Sequence, residues 1–215
     1  MKVVIAGSTG FVGQEVVRQA LYHPLITKVV TLSRRDHELA EDLKRPEFEE
    51  KFTSVSCSDF KSYPQYVKDE ISGADACICR HICQTSTRGQ ARAFEVYLRQ
   101  RFQRRARSCK ETLDPWRLLS TKKKQILERA HLSDGRMQVL VTKSGMITDP
   151  DMGFVKQAFR FFSHAIVSVP SIGLVEMTAA LLNQAVNGLN KETLLNAEMA
   201  EIGKKELVRM EKNLD

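Results

Sequence analysis

Lys2-Val-Val-Ile-Ala-Gly7-Ser-Thr-Gly10-Phe-Val-Gly13-Gln-Glu-Val-Val-Arg-Gln-Ala-Leu21 decides how the rest of the chain is read. Val3 to Ala6 form a short unbroken apolar run, which suits a parallel strand buried on both faces. Val12, Val16, Val17, Ala20 and Leu21 then recur with helical spacing. Three glycines therefore stand at a strand-to-helix junction. Gly7 permits the tight turn out of the strand. Gly10 lets a phosphate approach the backbone with no Cβ in the way. Gly13 lets the helix pack close to the sheet. The first-turn N–H groups and the helix dipole favour an anion there, so Gly7, Ser8, Thr9, Gly10, Phe11, Val12 and Gly13 are candidate ligand residues.

The segments that follow repeat the pattern. Lys28–Ser33 reads as a second strand, and Arg34 and Arg35 come directly after it. In dinucleotide-binding βαβ units an acid near this point bonds the ribose 2′-hydroxyl, whereas arginine accommodates a 2′-phosphate. Two arginines with no acid at 32–35 favour NADP over NAD. Residues 36–51 are highly charged and read as a surface loop or frayed helix. Thr53–Cys57 is a third strand, and Asp59 behind it is placed either to bond an adenine amino group or to cap a turn. Tyr63–Ile71 reads as a helix with Pro64 near its start, and Asp75–Cys79 as a fourth strand. This order is the first half of a doubly wound parallel sheet, and 215 residues suit a single α/β domain.

The middle of the chain is different. Within residues 80–117, nine arginines and one lysine stand against Glu95, Glu111 and Asp114, which accounts for the chain's whole net charge of +7. A neutral domain with one basic insert is a weak case for nucleic acid, and charge runs usually stay solvated. Ala91, Phe94, Leu98 and Phe102 mark a narrow stripe that predicts a helix over 90–107. Residues 108–117 read as loop. Cys77-x-Cys79-x-His81-x-Cys83 lacks the distant second ligand pair of a structural zinc site, so buried thiols are expected and no metal.

Regular structure returns with a helix over 118–130 and a strand over Met137–Thr142. The strand leads into a Lys143-Ser144-Gly145 turn. An apolar helix or turn over 154–164 comes next, then an extended link at 168–172. The chain closes with a helix over Leu174–Val186, a short strand at Leu194 and Leu195, and a charged helix over Glu198–Asp215. No apolar stretch approaches the roughly 18 residues of a membrane span. The strand that begins at residue 2 or 3 leaves no room for a leader before the fold, and the five cysteines do not suggest a disulfide scaffold; a cytoplasmic protein is expected.

With these pieces placed, the chain resembles atypical short-chain dehydrogenase/reductases, and more narrowly the NAD(P)-binding proteins of the Tat-interacting-protein type and their fungal relatives. The resemblance rests on two blocks. Residues 1–79 carry Ala-Gly-Ser-Thr-Gly-Phe-Val-Gly, Leu-Ser-Arg-Arg and Gly-Ala-Asp-Ala-Cys. Residues 118–205 carry Lys-Lys-Lys-Gln-Ile-Leu-Glu-Arg, Val-Thr-Lys-Ser-Gly-Met-Ile-Thr and Val-Pro-Ser-Ile with Glu-Met-Thr-Ala-Ala. It implies a single NAD(P)-binding Rossmann-like domain over 1–215, with 80–117 as a divergent Arg-rich segment inside it.

Such relatives carry Tyr-x-x-x-Lys, in which the tyrosine is the general acid/base and the lysine lowers its pKa and holds the nicotinamide ribose. The resemblance puts that lysine at Lys124, followed by Glu128-Arg129. The tyrosine position is then Ser120, and a serine hydroxyl is no ready substitute for a phenol of pKa about 10. The family's serine-bearing fifth strand would fall near 103–109, where Ser108 is its only remnant. A shifted reading frame between two matching blocks would give a composition like that of 80–117.

Three functions compete on these residues. The first is an NADP-dependent oxidoreductase acting on a small carbonyl or alcohol whose identity the residues do not give; the fungal relatives suggest a setting in secondary metabolism. The second is an NADP-binding sensor or scaffold without turnover, which fits Ser120. The third is nucleic-acid binding through Arg99, Arg101, Arg104, Arg105 and Arg107, which is disfavoured because aromatic interleaving is slight.

Overall fold

β1 (Lys2–Ala6) is the axis of the sheet, flanked by two parallel neighbours. Its side chains alternate between two cores, as the pleat requires. Val3 and Ile5 enter one apolar layer and Val4 the other. A computed structural model describes residues 1–59, 63–82, 92–99, 137–144, 146–148, 171–189, 191 and 193–212. After β1 come α1 (Phe11–Tyr22), β2 (Lys28–Ser33), a 3₁₀ turn (Glu41–Leu43), α2 (Pro46–Lys51), β3 (Phe52–Ser56), α3 (Gln65–Ile71) and β4 (Ala76–Ile82). Further along are β5 (Arg92–Arg99), β6 (Met137–Ser144), β7 (Met146–Thr148), β8 (Ser171–Gly173), α4 (Leu174–Asn187), β9 (Thr193–Leu195) and α5 (Asn196–Glu211).

The main sheet has the order β3-β2-β1-β4-β5-β6-β9. Its first four strands are all parallel, with Val4 opposite both Val30 and Cys77. Helices lie on both faces. α1 and α4 pack Val16, Val17, Met177 and Leu181 onto Val3, Ile5 and Ile78, while α3 brings Val67 and Ile71 to Val4, Val30 and Cys77. The expected α/β class and the parallel four-stranded half are therefore present. Residues 36–51, read as a loop or frayed helix, hold the 3₁₀ turn and α2.

Two expectations fail together at β5. The helix expected over 90–107 is, at Arg92–Arg99, a strand, and it runs antiparallel to both β4 and β6. The sheet is thus mixed rather than wholly parallel. The stripe that suggested a helix was ambiguous: Phe94 and Leu98 are four apart, which is also two alternate places on a strand. Arg-Ala-Phe-Glu-Val-Tyr-Leu-Arg contains three residues of high strand propensity, and Val96 between them is fully buried. Because β5 reverses direction and β6 reverses it again, β6 and then β9 run parallel to β1. β6 also reaches Ser144, so Lys143 and Ser144 end a strand rather than begin a turn. The helices expected at 118–130 and 154–164, the loop at 108–117 and the fifth strand near 103–109 lie outside the described residues. Among the described residues no helix is long and apolar enough to cross a membrane.

α4 and α5 make the tightest helix contact. A Cβ on Gly203 would stand 1.9 Å from the Glu176 carbonyl oxygen. That oxygen belongs to the first turn of α4, whose start is tied by the Glu176 carboxylate accepting the Gly173 N–H at 3.2 Å. Both partners at the crossing are helix backbone, which yields little. Gly203→Ala is expected to destabilise the fold by about 3 kcal/mol, read as a lower denaturation midpoint with an unchanged denaturant slope.

Candidate functional site

The glycine turn is held from the neighbouring strand. The Gly7 N–H donates to the Leu32 carbonyl of β2 at 2.9 Å, which continues the parallel ladder one residue past β1. The chain then turns through Gly7 at φ +81°, a left-handed conformation that costs other residues about 1–2 kcal/mol. The Gly10 N–H closes the turn on the Gly7 carbonyl at 3.1 Å, and α1 begins with the Gln14 N–H on the Gly10 carbonyl at 2.9 Å.

Gly13 has a sharper role than packing against the sheet. A Cβ there would lie 2.3 Å from the Gly7 carbonyl oxygen and 2.8 Å from Ser8 Cα. The first turn of α1 is thus pressed onto the backbone of the loop that feeds it. Gly10 is looser, its nearest atom being the Gly7 oxygen at 3.3 Å, and its φ of −82° and ψ of 160° suit any residue.

The start of α1 is open. Gly10 is its N-cap and has no side chain to cap it, and its first turn holds no acid. The N–H groups of a first helical turn have no partner within the helix and carry its positive dipole end. They face a cleft of about 190 Å³ between the carboxyl ends of β1 and β4, lined by Ala6, the turn, Val16, Ile78 and Cys79. Gly7, Thr9, Gly10, Phe11, Val12 and Gly13 all line it. Ser8 is fully buried and does not; its hydroxyl has no hydrogen-bond partner among the described residues. Phe11 is 37% exposed, an apolar ring at the mouth of the cleft.

The other candidates occupy the same sheet edge, because β1 to β4 are parallel and their carboxyl ends lie together. Arg34 follows β2 two residues beyond Leu32, the residue that holds Gly7. Arg34, Arg35 and Asp36 are all exposed. The Ser33 hydroxyl donates to the Arg35 carbonyl, which folds this loop back on its strand. Asp59 is exposed just past β3, and the Cys57 thiol bonds its carbonyl at 3.1 Å. Between these loops His37 bonds Ser54 Oγ through its backbone N–H at 2.9 Å and stands edge-on to Phe52. Burial holds the His37 imidazole below its ordinary pKa. Ser120 and Lys124 lie outside the described residues. Cys57, Cys77 and Cys79 are buried, and no group of three or more His, Cys, Asp or Glu is placed to hold a metal among the described residues.

This arrangement can bind an extended anion. It offers open N–H groups at one end, arginine at the next strand and an apolar wall of Ile5, Val16 and Ile78 beneath. No protein-family model and no curated protein matches the chain.

The two inner glycines are expected to separate by stability. Gly13→Ala should lower it by about 3 kcal/mol, since its clash is with backbone. Gly10→Ala, with 3.3 Å of room, should cost less than about 1 kcal/mol. Chemical denaturation of the two variants checks the order.

Proposed function

We propose that the glycine turn binds the pyrophosphate of a nicotinamide dinucleotide, NADP in preference to NAD, in an oxidoreductase of the atypical short-chain dehydrogenase/reductase type. The observation that carries this reading is the uncapped, acid-free start of α1 opening on a cleft at the carboxyl edge of a β3-β2-β1-β4 sheet. Dinucleotides sit at that place in such sheets. The residues suit the group: a Cβ at Gly13 would displace the loop, and the left-handed Gly7 turns the chain from β1 toward the start of α1. Gly7 to Gly13 would hold the pyrophosphate, Arg34 and Arg35 the 2′-phosphate, and Asp59 the adenine amino group. By resemblance, Lys124 would hold the nicotinamide ribose. The cofactor would supply the hydride to a small carbonyl, or take it from an alcohol.

A second reading is favoured by one residue. Ser120 stands where the resemblance calls for the proton-donating tyrosine, so binding without turnover, as an NADP sensor or scaffold, also accounts for the turn. A setting in secondary metabolism rests on the resemblance alone.

Gly10→Asp separates binding from folding. Aspartate is a good N-cap and Gly10 already has N-cap geometry, so the fold should hold or gain a few tenths of a kcal/mol. Its carboxylate would occupy the phosphate position, and like charges there should weaken binding by about 100-fold or more. Fluorescence titration with NADPH and NADH is expected to show NADPH binding tighter, and Arg34→Ala should erase about tenfold of that preference. No binding of either dinucleotide by the wild-type chain would sink both readings. Binding with no turnover over a panel of carbonyls would select the sensor.

A further inference from the structure

At the opposite end of α1 lies a second cluster of titratable groups that the dinucleotide reading does not use. His23 ends the helix, and its side chain and that of Glu206 are each 4% exposed. His23 Nε2 faces Glu206 Oε1 at 3.6 Å. Glu206 comes from α5, and its second oxygen accepts the Asn183 amide of α4 at 2.6 Å, with Arg209 Nη1 at 3.8 Å. From α2, Lys51 Nζ donates to the carbonyls of Leu21 at 2.6 Å and His23 at 2.9 Å. The charged groups facing His23 are thus Glu206 and Arg209 on α5 and Lys51 on α2; Asn183 on α4 is neutral.

The hydrogen bonds fix the state of the ring. His23 Nδ1 accepts the Leu25 N–H at 3.2 Å, so in the neutral imidazole the proton sits on Nε2, toward Glu206. A second proton would go on Nδ1, where a donor would then face the Leu25 donor. We infer that the buried His23–Glu206 contact is a proton-sensitive latch, which joins the C-terminal helix α5 to the end of α1 while His23 is neutral and releases it when His23 takes up a proton.

The balance of surroundings agrees. Burial, helped by Lys51 and Arg209, lowers the affinity of the docked ring for a proton, against the pull of Glu206. A histidine released to solvent titrates near its ordinary 6.5. Above that value both forms are neutral and the latch has its full strength. As pH falls below it, the released form takes up the proton first, so docking weakens until the docked ring titrates too. α5 is the element exposed to this loss, since it closes over α4 at Gly203 and meets α1 at His23.

Amide hydrogen exchange across α5, corrected for the intrinsic rate, tests the latch between pH 7.5 and 5.5. The opening equilibrium of the wild-type helix should rise below about pH 6.5 by up to about tenfold per pH unit, the limit for one proton. His23→Gln should flatten that rise. Glu206→Gln keeps an acceptor for Asn183 and should extend the rise to lower pH. An α5 whose exchange is independent of pH in the wild type, or a rise retained in His23→Gln, would overturn the latch. The His23 ring signal gives a reading that needs no variant: it should titrate below 6.5 in the intact protein, and a value at or above 6.5 overturns the proposal equally.

Discussion

The backbone approach between Gly7 and Gly13 is the contact on which the layout depends. Gly7 is tied to Leu32 of β2, so its position is set by the sheet. Gly13 then seats the first turn of α1 directly on the Gly7 carbonyl. With its start fixed against backbone, the helix axis has little freedom, and Val16, Val17 and Ala20 fall on Val3, Ile5 and Val29. The same placement carries Gln19 to α4, where its amide bonds Thr178 Oγ1 at 2.7 Å and the Val175 carbonyl at 3.1 Å. Buried polar groups of this kind fix the register of two helices more sharply than apolar contact does. One close approach in the loop thus reaches the neighbouring helix of the same layer.

The reversal at β5 solves a different constraint. After β4 the sheet still needs a neighbour for its last parallel strand, or an edge stays open. A parallel strand would need a crossover of a dozen or more residues. The chain returns antiparallel instead, pairing Arg92 with Ile82 and Leu98 with Ala76. β6 reverses once more and regains the direction of β1, with Ser144 paired to Arg92 at the same edge as Ile82. The second half of the sheet therefore still ends on the side of the glycine turn, although one of its strands runs the wrong way for a doubly wound fold.

What the sequence disclosed follows from where its patterns were unambiguous. β1 carries an unbroken apolar run, β2 and β4 carry Val29-Val30 and Ala76-Cys-Ile-Cys79, and α1 and α4 carry four or more apolar residues on one face; these elements could be read directly. β5 could not, because spacing by four satisfies both periods and the arginines masked the strand character of Phe94, Val96 and Tyr97. Within the site, the glycines and arginines were legible as residue types, but the buried side chain of Ser8 was not, since nothing in Gly-Ser-Thr-Gly distinguishes the inward hydroxyl from the outward one. The His23 cluster escaped for the same reason. A polar residue on an apolar stripe was its one signal: Glu206 follows Met199 and Gly203 at helical spacing, as Gln19 follows Val12 and Val16. Its partners come from three distant segments, and only folding brings them together.

The two ends of α1 are treated oppositely, and this bears on what the turn is for. A helix has a negative end and a positive end, and both leave backbone groups without partners. At the negative end Lys51 supplies a cation to two carbonyls. Burial draws that lysine down to about 8, yet contact with the carbonyls favours its charged form, so the helix end and the ammonium stabilise each other. At the positive end no such compensating group is present among the described residues. Gly10 has no side chain with which to cap the helix, no acid stands in the first turn, and the loop after β2 carries Arg34, Arg35 and Asp36. Opened on a cleft at the sheet's carboxyl edge, the helix start presents its first-turn N–H groups and the positive end of the dipole, which favour an anion. The two ends of one helix thus differ: a cation closes one, and the other opens on the cleft.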